Sequence, residues 1–142
     1  MDKISFRKML SANDVGATGG HQAGVLIPKG QIELLRFLPY LDPSIKNPSV
    51  TIDFIEDDGT VNTFRYVYYN NKFHDKAGTR DEYRITGMTG WFREKNAQAG
   101  DFIEISGAPG ANRYFISFLS DKAEVNERLP AKVKLRGWRR VY

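Results

Sequence analysis

The sequence predicts a mainly β chain of the α+β kind, with its strands curled into a barrel or a sandwich. Three observations carry that expectation. About seven short segments alternate apolar and polar side chains or run apolar. Turn signals separate them at roughly 8–12-residue spacing, and only one or two segments show helical spacing. The chain has 142 residues, which suits a single core.

Residues 4–10, ISFRKML, mix apolar and basic side chains as a strand. Val25-Leu26-Ile27 is a short apolar run closed by Pro28, which reads as a buried strand ending. Gly30 to Leu38 places Ile32 and Leu35 at helical spacing, and Pro39 stops the helix. The proline-rich PYLDPSIKNP is a loop. Val50–Glu56 puts Val50, Ile52 and Phe54 on one face. Asp57-Asp58-Gly59-Thr60 is a turn, and Asn62–Tyr69 alternates again, so the two runs read as a hairpin. The polar NNKFHDKAGT leads into a further strand, RDEYRIT, and Trp91–Asn96 is a helical turn. GDFIEIS and RYFISFLS around GAPGAN supply the last two strands.

Composition narrows the class. Hydrophobic content is 41% and charged content 27%, both ordinary for a globular domain. Cysteine is absent, so no disulfide framework or thiolate metal site can form, which fits a cytoplasmic origin. The N-terminus MDKISFRKML is too short and too charged for a secretory signal, and no apolar run approaches the roughly 18 residues of a membrane span. Net charge is +4, but six of the 21 basic residues lie in RLPAKVKLRGWRRVY at 128–142, and the other 15 face 17 acidic ones. The expected organisation is a domain over 1–127 and a basic tail over 128–142, a solvated arm or the start of an interdomain linker.

Two segments could carry chemistry. SANDVGATGGHQAG at 11–24 has four glycines and one sizeable apolar side chain, Val15. Such a loop lets backbone N–H groups approach an anion closely. It is neither a P-loop nor a dinucleotide fingerprint. Asn13 and Gln22 could pair with adenine, and His21 could donate to a phosphate or to guanine N7; the plain alternative is an irregular surface loop. The second segment is Arg80-Asp81-Glu82-Tyr83-Arg84-Ile85. On a strand Arg80, Glu82 and Arg84 share a face. Two guanidinium forks flanking a carboxylate suit a reader of G·C pairs, and equally suit an ion-pair row on a wet face. Lys72, Lys76, Arg93, Lys3, Arg7 and Lys8 are available for phosphates. Catalytic readings are thinner. His21 and His74 are not spaced as metal ligands, and Asp101–Ser106 lacks the lysine of the common metal-dependent nuclease pattern. A small metal-assisted nuclease or hydrolase at His21 and Asp14 stays open, as does a protein-interaction module.

LSANDVGATGGHQAG, Ile27-Pro28, NPSV at 47–50, YYN at 68–70 and TRDEYRIT at 79–86 occur in that order. Over roughly residues 8 to 120 the chain resembles the N-terminal DNA-recognition, effector-binding domain of EcoRII-type restriction endonucleases. The resemblance implies an open seven-stranded pseudobarrel of the plant B-three type with one or two short helices. It implies sequence-specific binding of double-stranded DNA at CCWGG through the major groove, by two arms matching Leu10–Gln22 and Tyr69–Ile85. Base reading would fall to Arg80, Glu82 and Arg84, with Asp81, Asn13, His21 and Gln22. Backbone contacts would fall to Lys8, Thr18, Gly19, Gly20, Asn70, Lys72, Lys76, Thr79, Tyr83 and Arg93. Asp81 and Tyr83 depart from the family pattern, where an asparagine and a lysine are expected, and lower the local positive charge. The glycine-rich arm is expected to be mobile until it meets DNA. The resemblance further implies a bacterial, cytoplasmic, monomeric recognition domain with no cofactor of its own. Mg²⁺ would serve only the C-terminal nuclease domain of a parent type II restriction endonuclease.

Overall fold

The computed structural model describes residues 3–16, 24–120 and 137–142. In chain order they form β1 (Ile4–Met9), β2 (Gly24–Ile27), α1 (Ile32–Phe37), β3 (Ser49–Ile55), β4 (Val61–Tyr69), β5 (Glu82–Thr86), α2 (Thr89–Glu94), β6 (Phe102–Gly107), β7 (Arg113–Leu119) and β8 (Trp138–Val141). The seven expected strands and both expected helices are present. The eighth strand lies in the segment expected to be a basic tail. The 127/128 boundary falls in 121–136, outside the described residues, but Trp138–Val141 belongs to the same sheet as the rest.

That sheet has the order β2-β5-β4-β3-β7-β6-β1-β8. All neighbouring pairs are antiparallel except β3–β7. It curls until its two edge strands, β2 and β8, face each other. Trp138 bridges them: its indole Nε1 donates to the Leu26 carbonyl at 3.0 Å, and its own carbonyl accepts from Gln31 Nε2 at 2.8 Å. The result is a nearly closed eight-stranded barrel rather than the seven-stranded one expected. An unpaired edge is a liability for any sheet, and here the two edges are joined through Trp138 without a ladder between them.

Alternation decides what the barrel encloses. Ile52 and Phe54 of β3 and Phe64, Tyr66 and Tyr68 of β4 point inward and are buried. The hairpin between them turns at Gly59, whose φ of 88° lies in the left-handed region that glycine tolerates. Asp58 accepts from the Thr60 amide there at 2.9 Å. Aromatic contacts run the length of the interior: Phe6 to Phe37, Phe37 to Tyr114, Tyr114 to Phe54, Phe54 to Phe64 and Phe64 to Trp91, with centroids 4.8–6.1 Å apart. Such pairs add to area burial when tilted or offset. Phe37 brings α1 against one end of this column, and Trp91 brings α2 against the other. The Tyr114 hydroxyl donates to the Phe37 carbonyl at 2.6 Å, which satisfies an acceptor at the end of α1.

β2 packs so closely on β5 that only glycine fits at its start. A Cβ on Gly24 would stand 2.3 Å from the Ile85 carbonyl oxygen, a backbone atom that cannot step aside. Gly24→Ala should therefore push β2 off β5 and cost about 1–3 kcal/mol. Thermal unfolding measures this directly; an unchanged midpoint would mean the two strands are looser than described.

Candidate nucleic-acid interface

β5 is central to the site because it has a different neighbour on each side. β2 pairs with it from Gly24↔Thr86 to Ile27↔Tyr83, and β4 pairs with it from Arg65↔Thr86 to Tyr69↔Glu82. The glycine-rich arm enters β2, and the second arm, residues 70–81, joins β4 to β5. The two arms therefore leave opposite ends of β5. Between them its outer face floors a trough of about 580 Å³, lined by Asn13, Gly24, Tyr69, Arg80, Glu82, Arg84 and Thr86.

Within the trough Glu82 is held from both sides. Arg84 Nε donates to its Oε2 at 2.7 Å, and Arg80 donates Nε and Nη2 to its Oε1 at 3.2 and 3.1 Å. Burial works against the charged form of Glu82, but the Arg84 guanidinium, followed by that of Arg80, outweighs it. The carboxyl stays below its ordinary value of 4.5 and is ionised at neutral pH. Arg80 also lies flat over the Tyr69 ring, 3.6 Å from its centroid. A guanidinium stacked on an aromatic face and paired to a carboxylate has little freedom left. Arg80 precedes β5 rather than lying in it, yet its side chain joins the same row.

The second arm is built to hold that row. The Lys72 amide donates to the Arg80 carbonyl at 3.1 Å, and the Arg80 amide donates to Asn71 Oδ1 at 2.8 Å. A Cβ on Gly78 would meet the Asn71 carbonyl oxygen at 2.0 Å, so the two ends of the arm's backbone pass in close contact. Lys72, Lys76 and Thr79 are exposed on it.

Several expected contact residues are placed otherwise. Asp81 points away from the row. It accepts from Lys29 Nζ at 2.8 and 2.9 Å and from the Tyr68 hydroxyl at 2.6 Å, and the lysine, then the tyrosine, hold its carboxyl below the usual range. Tyr83 is half-buried, stacked on Tyr68 with centroids 4.1 Å apart. Tyr83 points to the opposite face of β5 because successive strand residues alternate, and Asp81, just before the strand, points the same way, so they fasten the arm to the barrel instead of lining the trough. Asn70 is fully buried: its Nδ2 donates to the Pro43 and Ile45 carbonyls and its Oδ1 accepts from the Asn47 amide, locking the root of the arm to the preceding loop. Lys8 is buried too, with its ammonium 2.6 Å from Asp14 Oδ2. Arg7 pairs with Glu104 at 2.9 Å. Arg93 is exposed on α2, the helix whose Trp91 packs on Phe64 and donates to Glu56. Thr18, Gly19, Gly20, His21 and Gln22, and with them the expected mobility of the first arm, lie outside the described residues.

The Lys8–Asp14 pair anchors the described part of the first arm. Asp14 Oδ2 also accepts from the Ser11 amide at 3.0 Å, the Ser11 hydroxyl accepts from the Asp14 amide at 3.1 Å, and the Asp14 carbonyl accepts from Gly24 N at 3.0 Å. A buried ion pair with this many hydrogen bonds fixes geometry, and losing one partner strands the other charge. Reasoning from sequence missed Asp14's role here, together with Tyr69, Asn71 and Lys29. Tyr69 was visible as the last residue of the strand that precedes the segment carrying the row.

No helix among the described residues is long and apolar enough to cross a membrane. The family model for the N-terminal domain of restriction endonuclease EcoRII matches residues 1–104. A curated relative, type II restriction enzyme EcoRII of Escherichia coli, is 45% identical over 84 residues, covering 57% of this chain and 20% of that protein. A second, the AP2/ERF and B3 domain-containing transcription factor RAV1 of Arabidopsis thaliana, is 30% identical over 109 residues, covering 76% of this chain and 28% of that protein. The chain thus spans less than a third of either relative. Among solved structures, the Arabidopsis FUS3–DNA complex matches with a TM-score of 0.60 at 24% identity, covering 82% of this chain and 97% of that one. A hypothetical Arabidopsis thaliana protein matches with a TM-score of 0.53 at 12% identity, covering 84% and 92%. The barrel is thus of the plant B3 type, and the chain belongs to the family of EcoRII N-terminal restriction endonuclease domains.

Proposed function

We propose that this domain binds double-stranded DNA sequence-specifically through the major groove, at CCWGG, as the recognition and effector domain of a type II restriction endonuclease. The observation that carries the reading is the Arg80–Glu82–Arg84 row on the floor of a trough flanked by both arms. Exposed ion pairs contribute only about 0–1 kcal/mol to stability, so the row is a poor device for holding the fold together. It is a good device for base edges. Arg84 uses only Nε on Glu82, which leaves Nη1 and Nη2 outside that pair and able to face guanine O6 and N7. Glu82 can accept from cytosine N4. Asn13 offers an amide from the other arm, joined by His21 and Gln22 on its continuation. Lys72, Lys76 and Thr79, with Thr18, Gly19, Gly20 and Arg93, are assigned to the phosphates, which set register without reading sequence. The domain acts as a bacterial cytoplasmic monomer, and Mg²⁺-dependent cleavage belongs to a nuclease domain of the parent enzyme. A hydrolytic site at Asp14 and His21 is less well supported, because Asp14 is buried and committed to Lys8.

Gel-shift titrations against CCWGG and single-base variants test the assignment. Arg80→Ala should lose about 1–3 kcal/mol on the specific duplex and discriminate less between variants. Lys72→Ala should weaken every duplex alike and lower the salt slope by about one. Equal binding of CCWGG by Arg80→Ala and the parent would remove the row from base reading. The pH dependence has a definite sign. Glu82 has a lowered pKa in the folded protein, so its charge and the row it holds persist on acidification past 4.5 and fail only as pH falls through its own lower value. The Glu82 side-chain carbon, followed by NMR, should therefore titrate below 4.5; a midpoint above it would show that the guanidiniums do not engage the carboxylate in solution.

A further inference from the structure

We propose that Trp138 is a positioning residue for the first arm and for the strand that flanks the reading row, acting as the clasp that joins the two strands from which that arm springs. The inference rests on the DNA-binding reading above, and it concerns a strand beyond the residues 1–104 matched by the family model. On one side Trp138 stands opposite Lys8 in the β1–β8 register, and Lys8 is the residue whose ammonium grips Asp14. On the other side its indole Nε1 donates to the Leu26 carbonyl of β2. Leu26 stands opposite Arg84 on β5, and Gly24, at the start of the same strand, donates its amide to the Asp14 carbonyl. β1 leads into the first arm and β2 leads out of it. One buried side chain, 4% exposed, thus spans the gap between them and backs the strand that flanks the reading row.

β2 has only four residues, and among the described residues it pairs with β5 alone, with no second strand laddered to its outer edge. The single indole bond, with Gln31 Nε2 gripping the Trp138 carbonyl, supplies what a neighbouring strand otherwise would. Losing it lets β2 slide or tilt on β5. That displaces Gly24 from Asp14 and takes the β2 backing from the strand carrying Arg84, without emptying the core.

Trp138→Phe retains an aromatic body and removes the donor. The expected result is a cooperative unfolding transition, faster amide hydrogen exchange at Gly24, Val15 and Gly16, and a roughly three- to tenfold loss of affinity for a CCWGG duplex. Affinity for a scrambled duplex should change less than twofold. Combined with Asn13→Ala, the loss should be smaller than the product of the two separate losses, because a displaced arm has already forfeited the Asn13 contact. A residue serving only stability would lower both affinities alike and add independently. Unchanged exchange at Gly24, with an unchanged ratio of specific to scrambled binding, would overturn the inference. A parent protein that binds no duplex would instead sink the DNA-binding reading, and the exchange rates at Gly24 would still decide whether Trp138 holds the arm.

Discussion

The register of β5 is the constraint on which the rest depends. Its side chains alternate between two unlike surroundings. Ile85 is buried in the core and Tyr83 stacks on Tyr68, while Glu82, Arg84 and Thr86 face the trough. A slip of one residue would exchange the two sets, sending a guanidinium and a carboxylate inward and the apolar pair out. Burial of a few apolar side chains therefore fixes the direction of charged ones that contribute little to stability themselves. β2 and β4 hold that register from both sides, and each is joined to one of the arms.

The reading row is held in place by contacts within the protein. Tyr69 beneath Arg80, Asn71 on the Arg80 amide and the near-contact of Gly78 with Asn71 all restrict one loop. Lys29, Asp81 and Tyr68 tie the same loop to the barrel from behind. A side chain already held in place loses less freedom on binding, so more of each contact reaches the net affinity. The first arm shares this design as far as Gly16, where Lys8 and Asp14 fix its stem.

Much of this was legible in the sequence. The alternation in VTIDFIE and NTFRYVYY around Asp-Gly set the central hairpin, and the spacing of Arg80, Glu82 and Arg84 placed them on one face. Three residues assigned to DNA, Lys8 from its charge and Asn70 and Asp81 from the family resemblance, are committed inside the protein instead. Lys8, Asn70 and Asp81 are each satisfied by a partner distant in sequence or held by the fold, and no local pattern announces that. β8 was hidden differently. WRRV is four residues long, sits among basic neighbours and lacks an alternating stretch, so charge masked a strand that only barrel closure explains. Family resemblance supplied the proposed target site and groove, which no spacing of residues could have suggested.

Guanine N7 lies only in the major groove and adenine N3 only in the minor groove, so methylation interference on a CCWGG duplex separates the two directly. The account predicts that methyl groups on N7 of the guanines in the site block binding while methyl groups on adenine N3 leave it largely intact. Interference from the minor groove alone, or none within the site, would contradict the claim that the Arg80–Glu82–Arg84 row reads bases there.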